Sequence, residues 1–239
     1  RSNVVGSLTF INELMLNDNN NLVFSSSAAI FGNPITDKIS EDHPRDPINP
    51  YGRTKLTVEN FLEHICDTHG LNATCLRYFN AAGAHHSGTL GEAHEPETHL
   101  IPNILNRGNY PSENLKVYGD DYDTPDGTCI RDYVHVEDLA QAHLKALEFM
   151  QVNKGFYTFN LGNGNGFSVL EVIKACEHVL GRRVDYQFSD RREGDPPVLI
   201  ADSAKAIDQL GWSPQHTSLE SIIMSAYFWH LNKSEFSLQ

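Results

Sequence analysis

The chain has 239 residues, 40% of them apolar and 21% charged, and a formal net charge of −13. That is ordinary for a soluble globular protein, and the acidic balance argues against general nucleic-acid or anionic-membrane binding, which needs a basic surface. No apolar run approaches the ~20 residues that cross a bilayer, and the chain shows no signal-peptide pattern at its start. Four cysteines, Cys66, Cys75, Cys129 and Cys176, form no C-x-x-C pair and no dense framework, as expected of reduced thiols in a cytoplasmic protein.

In chain order, Val4, Leu8, Ile11 and Met15 recur at helical spacing and predict an opening helix with one apolar stripe. A polar break over 17–21 follows, and Leu22-Val23-Phe24 reads as a short buried strand ending in Ser25-Ser26-Ser27. A loop rich in Pro and Asp runs over 33–50. Pro50 suits the first turn of a helix, where a missing N–H costs little. Val58, Phe61, Leu62 and Ile65 continue that helix and Gly70 ends it. Residues 73–79 are the next strand, and strands alternating with helices predict a parallel sheet covered on both faces.

From about Gly83 to Asp126 the texture changes to frequent Gly, His, Asn and Pro, which suits loops around a ligand cleft. A helix is expected over 137–150 and a strand over 157–161. Ser168 and Glu171 form an S-x-x-E capping box; its helix carries Val169, Val172, Ile173 and Cys176 and stops at Gly181. A last amphipathic helix is expected over 219–231. Gly162-x-Gly164-x-Gly166 is followed by Phe167, where a dinucleotide-binding fingerprint needs Gly, so it reads as a tight turn. The adjacent pair His85-His86 has no Cys or carboxylate spacing to complete a site, and no metal is expected.

Tyr51-Gly52-Arg53-Thr54-Lys55 places a phenol and an ammonium one helical turn apart on one face. A free phenol titrates near pH ~10, and a fixed positive charge nearby favours phenolate. The pair is a proton-transfer device suited to a hydroxyl becoming a ketone. A serine hydroxyl at the end of the preceding strand, Ser27, can bond the same oxygen. Tyr-x-x-x-Lys alone is common; a strand ending in serines, a loop, then Pro-Tyr-x-x-x-Lys is much rarer.

The stretches FSSSAAIFG, NPYGRTK, LRYFNAAGAHHSG, THLIP, VYGDDYDTPDGTCIRDYVHVEDLAQAH, FNLGNGNGFSVLEV and RREGDPP follow one another along the chain. Together they closely resemble the UDP-glucose 4-epimerases of the extended short-chain dehydrogenase superfamily. The resemblance implies an α/β fold: an incomplete doubly wound, Rossmann-type parallel sheet with a smaller mixed α/β substrate-binding domain. It implies NAD-binding residues at 1–80, rejoined by about 131–165, and UDP-sugar-binding residues at 81–130 and 166–239. It implies NAD as cofactor, a UDP-sugar substrate and a homodimer. It implies that Tyr51 takes the O4 proton, Lys55 holds the nicotinamide ribose and lowers the pKa of Tyr51, and Ser27 relays at the sugar hydroxyl. Asn3 and Phe79 are then placed at the cofactor. Asn80, His99, Leu100, Tyr118, Arg131, Arg192, Asp195 and Leu199 are placed around the UDP-sugar. The arginines fit chemically, because guanidinium makes forked, charge-assisted bonds to phosphate oxygens.

Several departures matter. The first residue is Arg1 and no strand, glycine-rich turn and helix is present to receive the NAD pyrophosphate. The expectation is that roughly the first hundred residues of the family pattern, with central strands of the sheet, are absent, and that this chain alone is unstable or inactive. His99 stands where many relatives carry Asn, Ala29 replaces a frequent Thr, and Leu199, at a position limiting room beside the sugar's C2 substituent, leaves N-acetylhexosamine acceptance open. Nucleotide-sugar dehydratases and decarboxylases need acidic residues where Ala28 and Ala29 stand. A non-catalytic UDP-sugar-binding remnant and a UDP-N-acetylhexosamine 4-epimerase are the alternatives.

Overall fold

A computed structural model describes residues 2–106 and 115–236. A π-helical turn, Ser2–Gly6, leads into α1 (Ser7–Leu16), β1 (Asn21–Ser27), α2 (Pro50–His69), β2 (Asn72–Tyr78) and β3 (Asn80–Ala82). Then come α3 (Leu100–Asn106), β4 (Leu115–Tyr118), β5 (Ile130–His135), α4 (Val136–Val152) and β6 (Phe156–Leu161). The chain continues through β7 (Gly166–Ser168), α5 (Val169–Leu180), β8 (Tyr186–Ser189), β9 (Val198–Leu199), α6 (Ala204–Leu210) and α7 (Leu219–Phe236).

The predicted punctuation is visible as chemistry. The Asn49 side chain accepts the Gly52 N–H at 2.8 Å, Pro50 opens α2, and Gly70 closes it at φ 73°, a conformation that glycine adopts without Cβ strain. The capping box of α5 has both reciprocal bonds, from Glu171 N–H to Ser168 Oγ and from Ser168 N–H to the Glu171 carboxylate, and Gly181 ends the helix at φ 65°.

The first sheet has strand order β1-β2-β6, all parallel. Its central strand is buried except at Tyr78. Successive side chains of a strand face opposite ways: Ala73 and Cys75 meet Ile11, Val58 and Leu62 of α1 and α2, while Leu76 meets Leu139, Ala142 and Trp212 on the other side. Both faces are therefore covered, as the alternating pattern predicts. Among the described residues no strand pairs with the outer edge of β1.

A second sheet centres on β5, which runs parallel to β3 and β9 and antiparallel to β7. A parallel pair, β4 with β8, lies beyond it. The segment 131–165 thus contributes to both sheets: β5 to the second, β6 to the first. Helices α3, α5 and α7 cover the distal side around Ile104, Val117, Ile173, Cys176 and Ile222. The stretch 83–126 is not loop alone. It contains α3 and β4, because Ile101, Ile104 and Leu105 present a buried helical face and Leu115 and Val117 alternate inward. Helix α7 departs from the expected two-faced pattern: Leu219, Ile222, Ile223 and Ala226 are buried, yet Met224, Phe228 and Leu231 stay exposed.

A buried ion pair stitches α2 to β2. Arg77, 2% exposed, donates from Nε and Nη2 to the two carboxylate oxygens of the fully buried Glu59, at 3.0 and 2.7 Å. Removing one partner leaves the other charge buried and uncompensated. Glu59→Ala is expected to lower the unfolding free energy by ~3–5 kcal/mol, read as a fall in the urea midpoint at unchanged slope. An unaltered midpoint would remove this pair from the account of the fold.

Candidate active site

Ser27 ends β1, in register with Tyr78 at the end of β2, which in turn pairs with Leu161 at the end of β6. Ligands of open parallel sheets sit outside this carboxyl edge. The Ser27 Oγ accepts the Ala29 N–H at 3.2 Å and so caps the short 3-10 turn Ala28–Ile30. That turn meets the start of α2 at Gly52, where a Cβ would overlap the Ala29 carbonyl oxygen. The close approach at Gly52 sets Tyr51 and Lys55 beside the serine strand.

Tyr51 is 49% exposed. The Lys55 ammonium lies 5.6 Å from the Tyr51 ring centre and 5.0 Å from that of Phe24, and donates to the Ser25 carbonyl at 2.8 Å. Desolvation of this half-buried amine pushes its pKa below the usual lysine range. Asn3 joins the group through Thr54: its Nδ2 donates to Thr54 Oγ1 at 3.2 Å, and that hydroxyl donates to the Tyr51 carbonyl at 2.7 Å. Phe79 and Leu199 pack on the buried cluster of Ala28, Ile30, Phe31 and Ile39.

A cavity of about 570 Å³ opens next to this edge. It receives Asn80, His99, Leu100, Tyr118, Arg131, Arg192 and Asp195, seven residues singled out from the sequence. Ser27, Tyr51, Lys55, Asn3, Phe79 and Leu199 are not among its walls; Phe79-Asn80 links the two groups along the chain. Arg131, largely buried on β5, pairs with Asp195. Arg192 lies over the Tyr118 ring at 4.0 Å, a cation–π contact. The neighbouring Arg191 instead pairs with Asp121 at 2.6 Å over Tyr122 and does not line the cavity. His99 is exposed and bonded to Glu92 and Glu97.

Sequence reasoning missed Lys116, Asn103, Cys129 and Trp229, which also line the cavity. The signal for Lys116 was its alternation with Leu115 and Val117 on β4; the others come from distant segments and leave no local pattern. Gly162-x-Gly164-x-Gly166 forms the expected turn: the N–H groups of Asn163 and Gly164 bond the Asp132 carboxylate at 2.8 and 2.9 Å. Adjacent His85 and His86, for which the sequence offered no carboxylate, are given one by the fold, Glu137.

A parallel sheet with a Tyr-x-x-x-Lys helix packed on its serine-ended strand, and a separate cavity with arginines, is the architecture of the epimerase and dehydratase class. The chain belongs to the NAD dependent epimerase/dehydratase family, whose profile matches residues 1–162. It is similar to the UDP-glucose 4-epimerase of Halalkalibacterium halodurans, 47% identical over 229 residues, spanning 96% of this chain and 69% of that protein. The UDP-glucose 4-epimerase of Lactobacillus helveticus is 46% identical over 231 residues, with 96% and 69% spanned. Among solved structures, the UDP-glucose-4-epimerase of Stenotrophomonas maltophila with bound NAD and formylated UDP-arabinopyranose superposes with a TM-score of 0.93 at 39% identity, over 98% of this chain and 70% of that one. That of Bifidobacterium longum with NAD+ and UDP gives 0.91 at 37% identity, over 97% and 70%.

Gly52→Ala separates two effects of opposite sign. Helix propensity alone favours alanine by ~1 kcal/mol, whereas the overlap with Ala29 costs ~1–3 kcal/mol. A lowered thermal midpoint is expected, and a raised one would show that α2 does not need this approach.

Proposed function

We infer that this chain supplies the proton-transfer and UDP-sugar-binding parts of an enzyme for the NAD-dependent 4-epimerisation of UDP-galactose and UDP-glucose, and that it does not turn over on its own. The observation that carries the reading is the junction at Phe79-Asn80: Phe79 packs on the cluster of Ala28 and Ile30 that follows Ser27, and the next residue, Asn80, lines a cavity containing Arg131 and Arg192. Guanidinium groups suit a diphosphate, and a Tyr-Lys pair suits a hydroxyl that becomes a ketone. In this reading Arg131 and Arg192 hold the diphosphate and Asp195 a ribose. His99, Leu100 and Tyr118 surround the nucleotide, and Asn80 and Leu199 meet the sugar. Residues 1–80 and 131–165 serve the cofactor side, and 81–130 with 166–239 the UDP-sugar side.

The residues present fit one end of NAD. A half-buried ammonium, an exposed phenol, Ser27, Asn3 and the aromatic Phe79 suit the nicotinamide and its ribose. The sequence has no glycine-rich turn for the pyrophosphate. Held by these residues, NAD would supply the hydride chemistry at C4. The chain's own part is proton management. Ser27 orients the sugar O4, Tyr51 takes its proton and gives it back, and Lys55 stabilises the phenolate electrostatically. Because that ammonium is half-buried, its field at the phenol is less screened than in bulk water.

Four free, buried thiols support a cytoplasmic protein, and no helix among the described residues is long and apolar enough to cross a membrane. The exposed Val5, Phe10 and Leu16 near and along α1 support a homodimer face.

Two measurements test the assignment. Calorimetric titration with UDP should show binding that Arg192→Ala weakens by roughly tenfold or more, the cost of one charge-assisted bond, while Arg191→Ala leaves it within about twofold; equal effects would refute the division of the two arginines. For turnover, a chimera joins the chain behind a relative's glycine-rich strand–turn–helix segment. It should convert UDP-galactose to UDP-glucose, and Tyr51→Phe should slow it by roughly 10²–10⁴-fold with UDP affinity retained. UDP binding without conversion by the chimera would favour a non-catalytic remnant.

A further inference from the structure

Outside the cavity walls, the loop after β3 meets the first turn of α4. The Glu137 Oε1 lies 2.6 Å from His86 Nδ1 and 3.6 Å from His85 Nε2. The two imidazoles lie side by side, with ring centres 4.2 Å apart. The three ligand atoms all fall within 4.8 Å of one another. Glu137 is held in place from two further directions: His86 N–H donates to Oε1 at 3.3 Å, and His216 Nε2 sits 3.4 Å from Oε2.

We propose that His85, His86 and Glu137 bind one divalent transition-metal ion of the Zn2+, Ni2+ or Cu2+ class. Two imidazole nitrogens and one carboxylate oxygen suit these borderline ions and not Ca2+ or Mg2+, which take oxygen sets. Tetrahedral bonds of ~2.0–2.1 Å place donor atoms about 3.3 Å apart. The His85–Glu137 separation of 3.6 Å is slightly longer than this and closes with a small side-chain rotation. The shorter His86–Glu137 contact is bridged by a proton that the ion replaces, and His86, 77% exposed at its side chain, is free to turn and open it. Water completes the fourth position. His216 then orients the carboxylate through its other oxygen, the usual role of an outer partner. His135 is a nearby imidazole but is engaged: its Nδ1 accepts the Glu137 N–H at 3.1 Å and its Nε2 bonds Ser225 Oγ at 2.9 Å. The bound ion ties the loop leaving Gly83 to the start of α4.

The test is calorimetric titration of Zn2+ into the untagged, chelator-stripped chain at about neutral pH, where imidazole competes little with protons. One ion per chain is expected. His86→Ala removes an exposed ligand with little risk to folding and should weaken binding by at least the ~10–100-fold that loss of even an outer partner costs; Glu137→Gln should do the same. His94→Ala alters a separate, exposed group, His94, Glu97 and His99, and should leave binding unchanged. With Cu2+, the electron paramagnetic spectrum should report two imidazole nitrogens, falling to one in His86→Ala. Absence of Zn2+ binding, equal binding in His86→Ala, or loss in His94→Ala would overturn the proposal.

Discussion

One buried carboxylate holds the two sheets in register. Asp132, fully buried on β5, accepts the Asn163 N–H on Oδ1 and the Gly164 and Ala201 N–H groups on Oδ2, at 2.8, 2.9 and 3.1 Å. The first two donors follow β6 of the first sheet; the third follows β9, beside β5 in the second. Burial pushes the Asp132 carboxyl up to about 6, against the pull of these three donors. At neutral pH it remains the anion that can accept all three. This also explains Gly162, where a Cβ would overlap Asp132 Oδ2. The glycine-rich stretch serves a carboxylate of the protein itself, with N–H groups gathered around an anion as they would be around a phosphate.

From that anchor the cavity follows by strand alternation. Arg131 and Tyr133 flank Asp132 and point to the opposite side of β5, into the cavity. Leu199 pairs across from Arg131 on β9, so the buried arginine of the cavity and a residue packed on the Ala28, Ile30, Phe31 and Ile39 cluster are fixed by the same ladder. The cavity wall carries Lys116, Arg131 and Arg192 together with Glu92, Glu97 and Asp195, and Asp195 pairs with Arg131. The charges are therefore mixed, and the placement of single guanidinium groups, not an excess of cations, suits a small anion.

Legibility in the sequence followed the range of the interaction. Helix α2 was readable because Pro50 and Gly70 mark its ends locally, and Tyr51 and Lys55 because their spacing is one helical turn. Strand β2 and the capped α5 were readable for the same reason. Strands β3, β7 and β9, of three, three and two residues, are too short for a period to show. The pairing of Glu59 with Arg77 joins a helix to a strand and looks, in sequence, like two surface charges. Trp229 and Cys129 reach the cavity only through tertiary packing. The residues taken from the family resemblance divided in the same way: those near β4, β5 and the Arg-Arg-Glu-Gly-Asp turn line the cavity, and those on the serine strand and α2 stand apart from it.

In the proposed mechanism the serine strand anchors Lys55. Its ammonium bonds a backbone carbonyl, Ser25 O, and among the described residues it has no carboxylate in ion-pair contact. A carboxylate partner would stabilise the ammonium more, but would also cancel its field at Tyr51. A neutral carbonyl fixes the nitrogen while leaving the positive charge uncompensated. The lowered pKa of Lys55 is the visible cost of that choice: desolvation works against the charge and no anion offsets it. The arrangement limits how far burial can go, since a fully buried lysine loses its proton near neutral pH. Half-burial, with the edge of β1 as anchor and Phe24 beneath, limits that desolvation and leaves the field of the ammonium at the phenol only partly screened.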